Sequence, residues 1–151
     1  MEAAQVTEPT RDPVTGLPNL SSLVERIQEL QALERSARGP RRSHLSDRLL
    51  VVVSLATAPD RHASLFLRAR TAALLRSAFG DEEVIAVLRP GLFAVLARDR
   101  ADLAAERSFL ATVLEEFDVD ARVWTERIPV DGPSTASLFS SLLLAGDWVP
   151  E

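Results

Sequence analysis

Two apolar runs, Val84-Ile85-Ala86-Val87-Leu88 and Leu92-Phe93-Ala94-Val95-Leu96-Ala97, are separated only by Arg89-Pro90-Gly91, and nothing else restricts the fold of this chain so tightly. Apolar runs of strand length on either side of a short Pro-Gly turn fold back on one another as a β-hairpin. Leu49-Leu50-Val51-Val52-Val53 adds a β-branched run without polar alternation, the pattern of a strand covered on both faces. Residues 119–128 add another, in which Ala121, Val123 and Thr125 alternate with Arg122, Trp124 and Glu126, so one face is wetter.

Helical spacing fills the intervals. Leu20, Leu23, Ile27, Leu30 and Leu33 form one stripe, capped by Asn19 or Ser21 and fading near Ala37, because Gly39-Pro40 cannot continue a helix. Residues 63–79 form a second helix, with Leu65, Phe66, Ala69, Ala72, Ala73, Leu75 and Ala78 at helical spacing and Gly80 as its stop. Residues 102–117 form a third, directing Leu103, Phe109, Leu110, Val113 and Leu114 inward. A short fourth covers 134–144, behind the Asp131-Gly132-Pro133 turn. This order contains a βαββαβ core behind a leading helix, an α+β fold of ferredoxin-like type with helices on one side of an antiparallel sheet. Residues 1–11 read as a disordered lead-in, 12–147 as one domain and 148–151 as a tail.

The 151 residues, 46% hydrophobic and 26% charged, suffice for one core. Cysteine is absent, and all 17 basic residues are arginine. Disulfides, thiolate metal sites, thiol nucleophiles, Schiff-base chemistry and a P-loop lysine are thereby excluded. A net charge of −5 argues against a general nucleic-acid binder. The longest apolar run, residues 49–56, is far short of the ~20 residues that span a bilayer. The polar, acidic start has no signal-peptide core, so a cytoplasmic protein without membrane contact is expected.

Several charged groups carry no chemistry on this reading. Arg35, Arg38, Arg41, Arg42 and Arg48 surround the Gly39-Pro40 break; with no aromatics among them they read as a solvated connector rather than a phosphate patch. Asp81-Glu82-Glu83, Glu115-Glu116 and Asp118 with Asp120 lie at element boundaries, where acids are usually solvated, and none is assigned a metal. His44 and His62 have no partner at ligand spacing, and Ser54 has neither a neighbouring base nor a nucleophile-elbow pattern. Trp124 and Trp148 are candidate contact residues, since aromatics are enriched at interfaces.

Two stretches carry a resemblance. Asp12-Pro13-Val14-Thr15-Gly16-Leu17-Pro18-Asn19 resembles the Asp-x-Leu-Thr-Gly-Leu-x-Asn segment that opens GGDEF domains, the diguanylate cyclases. Residues 87–96 are similar to the hairpin bearing their Gly-Gly-Asp-Glu-Phe signature, with Phe93 in the phenylalanine place. The likeness spans residues 12–144 and implies a nucleotidyl cyclase palm. In that family two protomers, each holding GTP and magnesium, face one another and form cyclic di-GMP. Mg²⁺ is a hard cation that takes oxygen ligands, so this chemistry rests on carboxylates.

The same resemblance places the family's two first-strand acids on Ser54 and Ala56, and the signature acids on Gly91 and Leu92. Its Phe-Lys-x-x-Asn segment falls on Ala58-Pro59 with His62 near the asparagine, and its later guanine-reading aspartate on Thr71. The inhibitory Arg-x-x-Asp motif falls on Gly80-Asp81-Glu82-Glu83, without the arginine. The closing lysine-bearing segment has no counterpart in Leu142-Leu143-Leu144-Ala145-Gly146-Asp147-Trp148, and Pro90 stiffens a turn where the family uses glycine. Losing one donor to developing charge costs about 10²–10³ in rate, and here several are replaced together. The expectation is a catalytically inactive GGDEF-like pseudoenzyme, without cofactor or metal. Its role would be signalling or regulation through protein contact, with itself as a dimer or with another signalling domain. The alternative is a non-catalytic sensor of a nucleotide or cyclic dinucleotide. Arg89 at the hairpin tip is the candidate contact for such a ligand, against the plainer reading of a solvated turn residue.

Overall fold

The computed structural model describes residues 11–36, 48–56, 60–79, 84–98, 103–116, 120–129 and 131–144. In chain order the elements are α1 (Leu20–Ser36), β1 (Arg48–Leu55), α2 (Arg61–Phe79), β2 (Val84–Arg89), β3 (Leu92–Arg98), α3 (Leu103–Glu116), β4 (Ala121–Arg127) and α4 (Gly132–Leu144). The strands lie in the order β2-β3-β1-β4, and every neighbouring pair is antiparallel. β1 and β2, joined through α2, therefore run parallel with β3 between them. β3 and β4, joined through α3, likewise enclose β1. Two interleaved split βαβ units result.

The sheet is a middle layer. Val51, Val53 and Leu55 of β1, with Phe93, Val95 and Ala97 of β3, pack against Ala72, Leu75 and Phe79 of α2 and Leu110 and Leu114 of α3. Leu50, Val52, Leu92, Ala94 and Leu96 face the other way, onto Leu23, Ile27 and Leu30 of α1 and Phe139 and Leu142 of α4. The two crossover helices of the βαββαβ core share one face, as the element order implies, and the first and last helices cover the other. β1 shows no alternation because its residues are buried on both sides.

Within α2 the inward stripe is rotated from the expected one. Phe66 is 61% exposed, and Ala69 and Ala73 also face solvent, whereas Leu67, Ala72, Leu75, Ala78 and Phe79 pack inward. In α3, Leu110 and Leu114 are buried and Val113 half-buried; the side chains of Leu103 and Phe109 lie outside the described residues. On β4 the wetter face is only partly so. Trp124 packs against the α1/α4 core, and its indole Nε1 donates to Glu126 Oε2 at 3.1 Å.

Three helices begin on side-chain caps, each satisfying an amide that no helical carbonyl reaches. Asn19 Oδ1 accepts from the Ser22 amide at 3.1 Å, Asp60 Oδ1 from Ala63 at 2.8 Å and Asp131 Oδ1 from Ser134 at 2.7 Å. The backbone and hydroxyl hydrogen bonds of Ser134 hold the Asp131 carboxyl below its ordinary value of 3.8. A depressed folded-state pKa contributes stability above the unfolded value, and that stability is lost as pH falls through the folded one. Asp131→Asn keeps a cap without the charge. The stability difference between wild type and this variant, followed by urea denaturation, is expected to change only on the acid side of about pH 4.

Candidate functional site

Residues 11–19 make a compact turn that wraps one edge of the sheet. Asp12 Oδ2 accepts from the Val14 amide at 3.1 Å, the Thr15 amide at 2.8 Å and the Thr15 hydroxyl at 2.9 Å. The Asp12 amide donates to the Leu17 carbonyl at 2.7 Å, and Gly16 takes a φ of +74°, which glycine adopts without steric cost. Leu17 is buried with the α2/α3 core, the Val87 amide donates to the Pro18 carbonyl at 2.9 Å, and Leu20 packs with the α1/α4 core. The segment thus crosses from one face to the other over the edge of β2, and Arg76 of α2 fixes it by donating to the Thr15 carbonyl.

The positions set apart by sequence converge at the far end of β1. Ser54 pairs with Leu92 across β1 and β3, and the Leu55 amide donates to the Gly91 carbonyl at 2.8 Å. The Ala56 amide donates to the Asp120 carbonyl at 2.8 Å, closing the same end of the sheet. Gly91 sits at the hairpin tip with φ +84°. Ser54 and Leu92 are both completely buried, and Leu92 belongs to the apolar cluster beneath α1 and α4. The four positions that the resemblance assigns to acids hold a hydroxyl, a methyl, a hydrogen and an isobutyl group. Only the Ser54 hydroxyl among them is an oxygen ligand, and the exposed Asp120 beside Ala56 adds one carboxylate, too few for a hard divalent cation, which takes roughly six or more oxygens. Among the described residues no three histidines, aspartates or glutamates gather where a metal could bind.

With the sheet order and this corner in place, comparison with solved structures is decisive for the fold. The GGDEF domain of FimX from Pseudomonas aeruginosa matches with a TM-score of 0.59 at 18% identity, covering 94% of this chain and 98% of that one. A diguanylate cyclase/phosphodiesterase from Caldicellulosiruptor saccharolyticus matches with a TM-score of 0.65 at 14% identity, covering 90% and 83%. The GGDEF domain of DgcB from Caulobacter crescentus, solved in complex with c-di-GMP, gives 0.62 at 12% identity over 92% and 88%. This is the GGDEF-domain fold. No protein-family model matches the sequence, and no curated protein matches it.

Within the GGDEF fold the remaining candidates are dispersed. Arg89 is not a solvated turn residue. It ends β2 half-buried, and its Nη1 donates to the Leu143 carbonyl at 3.1 Å, serving an end carbonyl of α4. Thr71 is buried within α2, with no hydrogen-bond partner for its Oγ1 among the described residues. His62 is exposed in the first turn of α2, and Glu115 and Glu116 are exposed at the end of α3. Ala58-Pro59, residues 80–83, Asp118, His44, Arg38, Arg41, Arg42 and Trp148 lie outside the described residues. An open depression of about 250 Å³ lies between the 11–19 turn, the start of α1 and the hairpin tip, where Arg11, Asp12, Asn19, Arg89 and Pro90 line it. No described helix is long and apolar enough to cross a membrane.

Sequence reasoning missed two anchoring side chains, Arg76 and Gln31. Gln31, buried in α1, donates from Nε2 to the Pro129 carbonyl at 3.0 Å and to Thr135 Oγ1 at 2.8 Å. A lone polar residue between Leu30 and Leu33 on an otherwise apolar stripe was the available signal.

Proposed function

We propose that the chain is a GGDEF-family pseudoenzyme that makes no cyclic di-GMP and serves cytoplasmic signalling through protein contact. One observation carries the reading: Ser54 and Leu92 face each other across β1 and β3, fully enclosed, where the resemblance puts metal and signature acids. A triphosphate with its cations needs an open, oxygen-rich corner at that place. Here Leu92 is packed into the core, and the neighbouring Ala56 and Gly91 offer no carboxylate. The apolar pattern that builds the fold is kept while the groups that would run the reaction are replaced, as in a domain used for its shape.

Incubation of the purified chain with GTP and Mg²⁺ or Mn²⁺ is expected to give no cyclic di-GMP by liquid chromatography, and product formation would overturn the reading. A non-catalytic nucleotide sensor is the second reading, favoured by the depression beside Arg11 and Arg89. At about 250 Å³ that depression is smaller than the roughly 300–1,000 Å³ of ordinary ligand pockets. Arg11 and Arg89 there each donate to a backbone carbonyl, of Gly16 and Leu143. Thermal-shift titration with GTP, GDP and cyclic di-GMP separates the two readings, because a ligand in excess of its Kd raises the unfolding midpoint. No shift is expected.

A further inference from the structure

We propose that two copies of the chain pair through the outer edges of their β4 strands, giving one sheet that runs through both. The proposal rests on the interaction-module reading and names its partner, a second copy. β4 is an end strand, and among the described residues nothing pairs with its outer side. At the other end of the sheet, Pro18 and Asn19 already bond with Val87 of β2. An open strand edge is a template for another strand, and β4 (ARVWTER) contains no proline to blunt it.

The register fixes which backbone groups face outward. Ala56 donates to the Asp120 carbonyl and Val52 aligns with Trp124, so Asp120, Arg122, Trp124 and Glu126 turn their amides and carbonyls toward β1. Ala121, Val123, Thr125 and Arg127 turn theirs outward. An antiparallel pairing about a two-fold axis at Trp124, the middle of the strand, matches Ala121 with the partner's Arg127 and Val123 with the partner's Thr125. All of these are outward-bonding residues, so the hydrogen-bond ladder closes over the whole of β4.

The side chains then select the same axis. In this register Arg122 lies opposite the partner's Glu126, twice by symmetry, and Trp124 lies opposite the partner's Trp124. These are the non-hydrogen-bonded pairs, in which side chains approach most closely and opposite charges or aromatics stabilise the sheet. Glu126 is already oriented by the indole of Trp124 at 3.1 Å, and a carboxylate has room to accept from a guanidinium as well. Moving the axis to Val123 sets Glu126 against Asp120, and moving it to Thr125 leaves Arg122 opposite Ile128. Of these three axes, only the one at Trp124 joins opposite charges.

The test is the solution mass of the intact chain by sedimentation equilibrium. A concentration-dependent species of twice the 16.5 kDa monomer is expected. Arg122→Glu and Glu126→Arg each set like charges together at both symmetry-related contacts and should weaken association roughly ten- to a hundredfold. An equimolar mixture of the two variants restores opposite charges at both contacts and should recover the dimer. As an independent measurement, Trp124→Cys should form an intermolecular disulfide on mild oxidation. The chain has no other cysteine, and the pair spacing of about 4.5 Å suits the bond. A wild type that stays monomeric at high micromolar concentration, a dimer indifferent to both charge reversals, or no cross-link through Trp124→Cys would overturn the pairing. A monomer that makes no cyclic di-GMP sinks the β4 pairing alone; cyclic di-GMP production sinks the reading on which it rests.

Discussion

Leu92→Glu, which puts an acid where the resemblance places one of the family's signature acids, is expected to cost the fold about 3–5 kcal/mol at neutral pH. Leu92 is completely buried among Leu50, Ala94, Leu23 and other apolar side chains, and its cross-strand partner is Ser54, also buried. A carboxylate there is stripped of water. Its pKa must rise above the ordinary glutamate value of about 4.3. The sign of the pH dependence follows. With a raised folded-state pKa, the unfolded chain binds fewer protons than the folded one between the two values, so the variant's stability falls as pH rises through that window. Urea denaturation should show a penalty relative to wild type that is larger at pH 7 than at pH 4. The thermal midpoint at neutral pH should drop by roughly 6–20 °C. Ser54→Asp is also buried but lies across from Arg122, so its penalty should be smaller, while Gly91→Asp, half-exposed at the hairpin tip, should carry the cost of its positive φ rather than of desolvation. Wild-type stability for Leu92→Glu at pH 7 would mean that the corner is open to water, and the case against a metal-bound triphosphate would lose its footing.

That corner was legible in the sequence as a set of neutral residues where the resemblance expects acids, but its closure was not. Whether a neutral residue at the end of a strand is exposed depends on what covers it. Here the cover is α1, which precedes β1, and α4, which follows β4 by a short turn. The hairpin could be read because Pro90-Gly91 between apolar runs is local information, and Asn19 could be read as a cap for the same reason. The unbroken apolar run 49–53 also demanded cover on both faces of the sheet. The βαββαβ order accounts for only one covering layer, and the second had to come from the first and last helices. Phe66 was misplaced because α2 is rich in alanine, so two adjacent stripes carry similar apolar content and only the sheet beneath decides between them. Arg89 was misplaced for a different reason. Its partner carbonyl lies 54 residues away, at the end of a helix whose position no local pattern reports.

The longest-range of these hidden contacts makes the second large prediction. Gln31 reaches across about a hundred residues of chain to the turn before α4: its Nε2 lies 3.0 Å from the Pro129 carbonyl, 2.8 Å from Thr135 Oγ1 and 3.4 Å from the Asp131 carbonyl. Two N–H bonds cannot fully serve three acceptors, so the two short contacts carry the interaction. Thr135 passes its own proton to the Asp131 carbonyl at 2.8 Å, which leaves its oxygen to accept from Gln31. Gln31→Leu therefore strands a buried hydroxyl lone pair and a proline carbonyl at once, at about 1–3 kcal/mol for each group left unsatisfied. Gln31→Glu should be worse at pH 7, because it points a buried carboxylate at two carbonyl oxygens and can be met only if the Thr135 hydroxyl turns its proton away from the Asp131 carbonyl. It should recover as pH falls, since the protonated acid can donate once. A structural role limited to filling space would make the two variants alike and insensitive to pH. Hydrogen exchange locates the damage: α4 amides should lose protection in Gln31→Leu before those of β1 and β3. The double variant Gln31→Leu/Thr135→Val removes both partners of one bond, so it should cost less than the two single changes together.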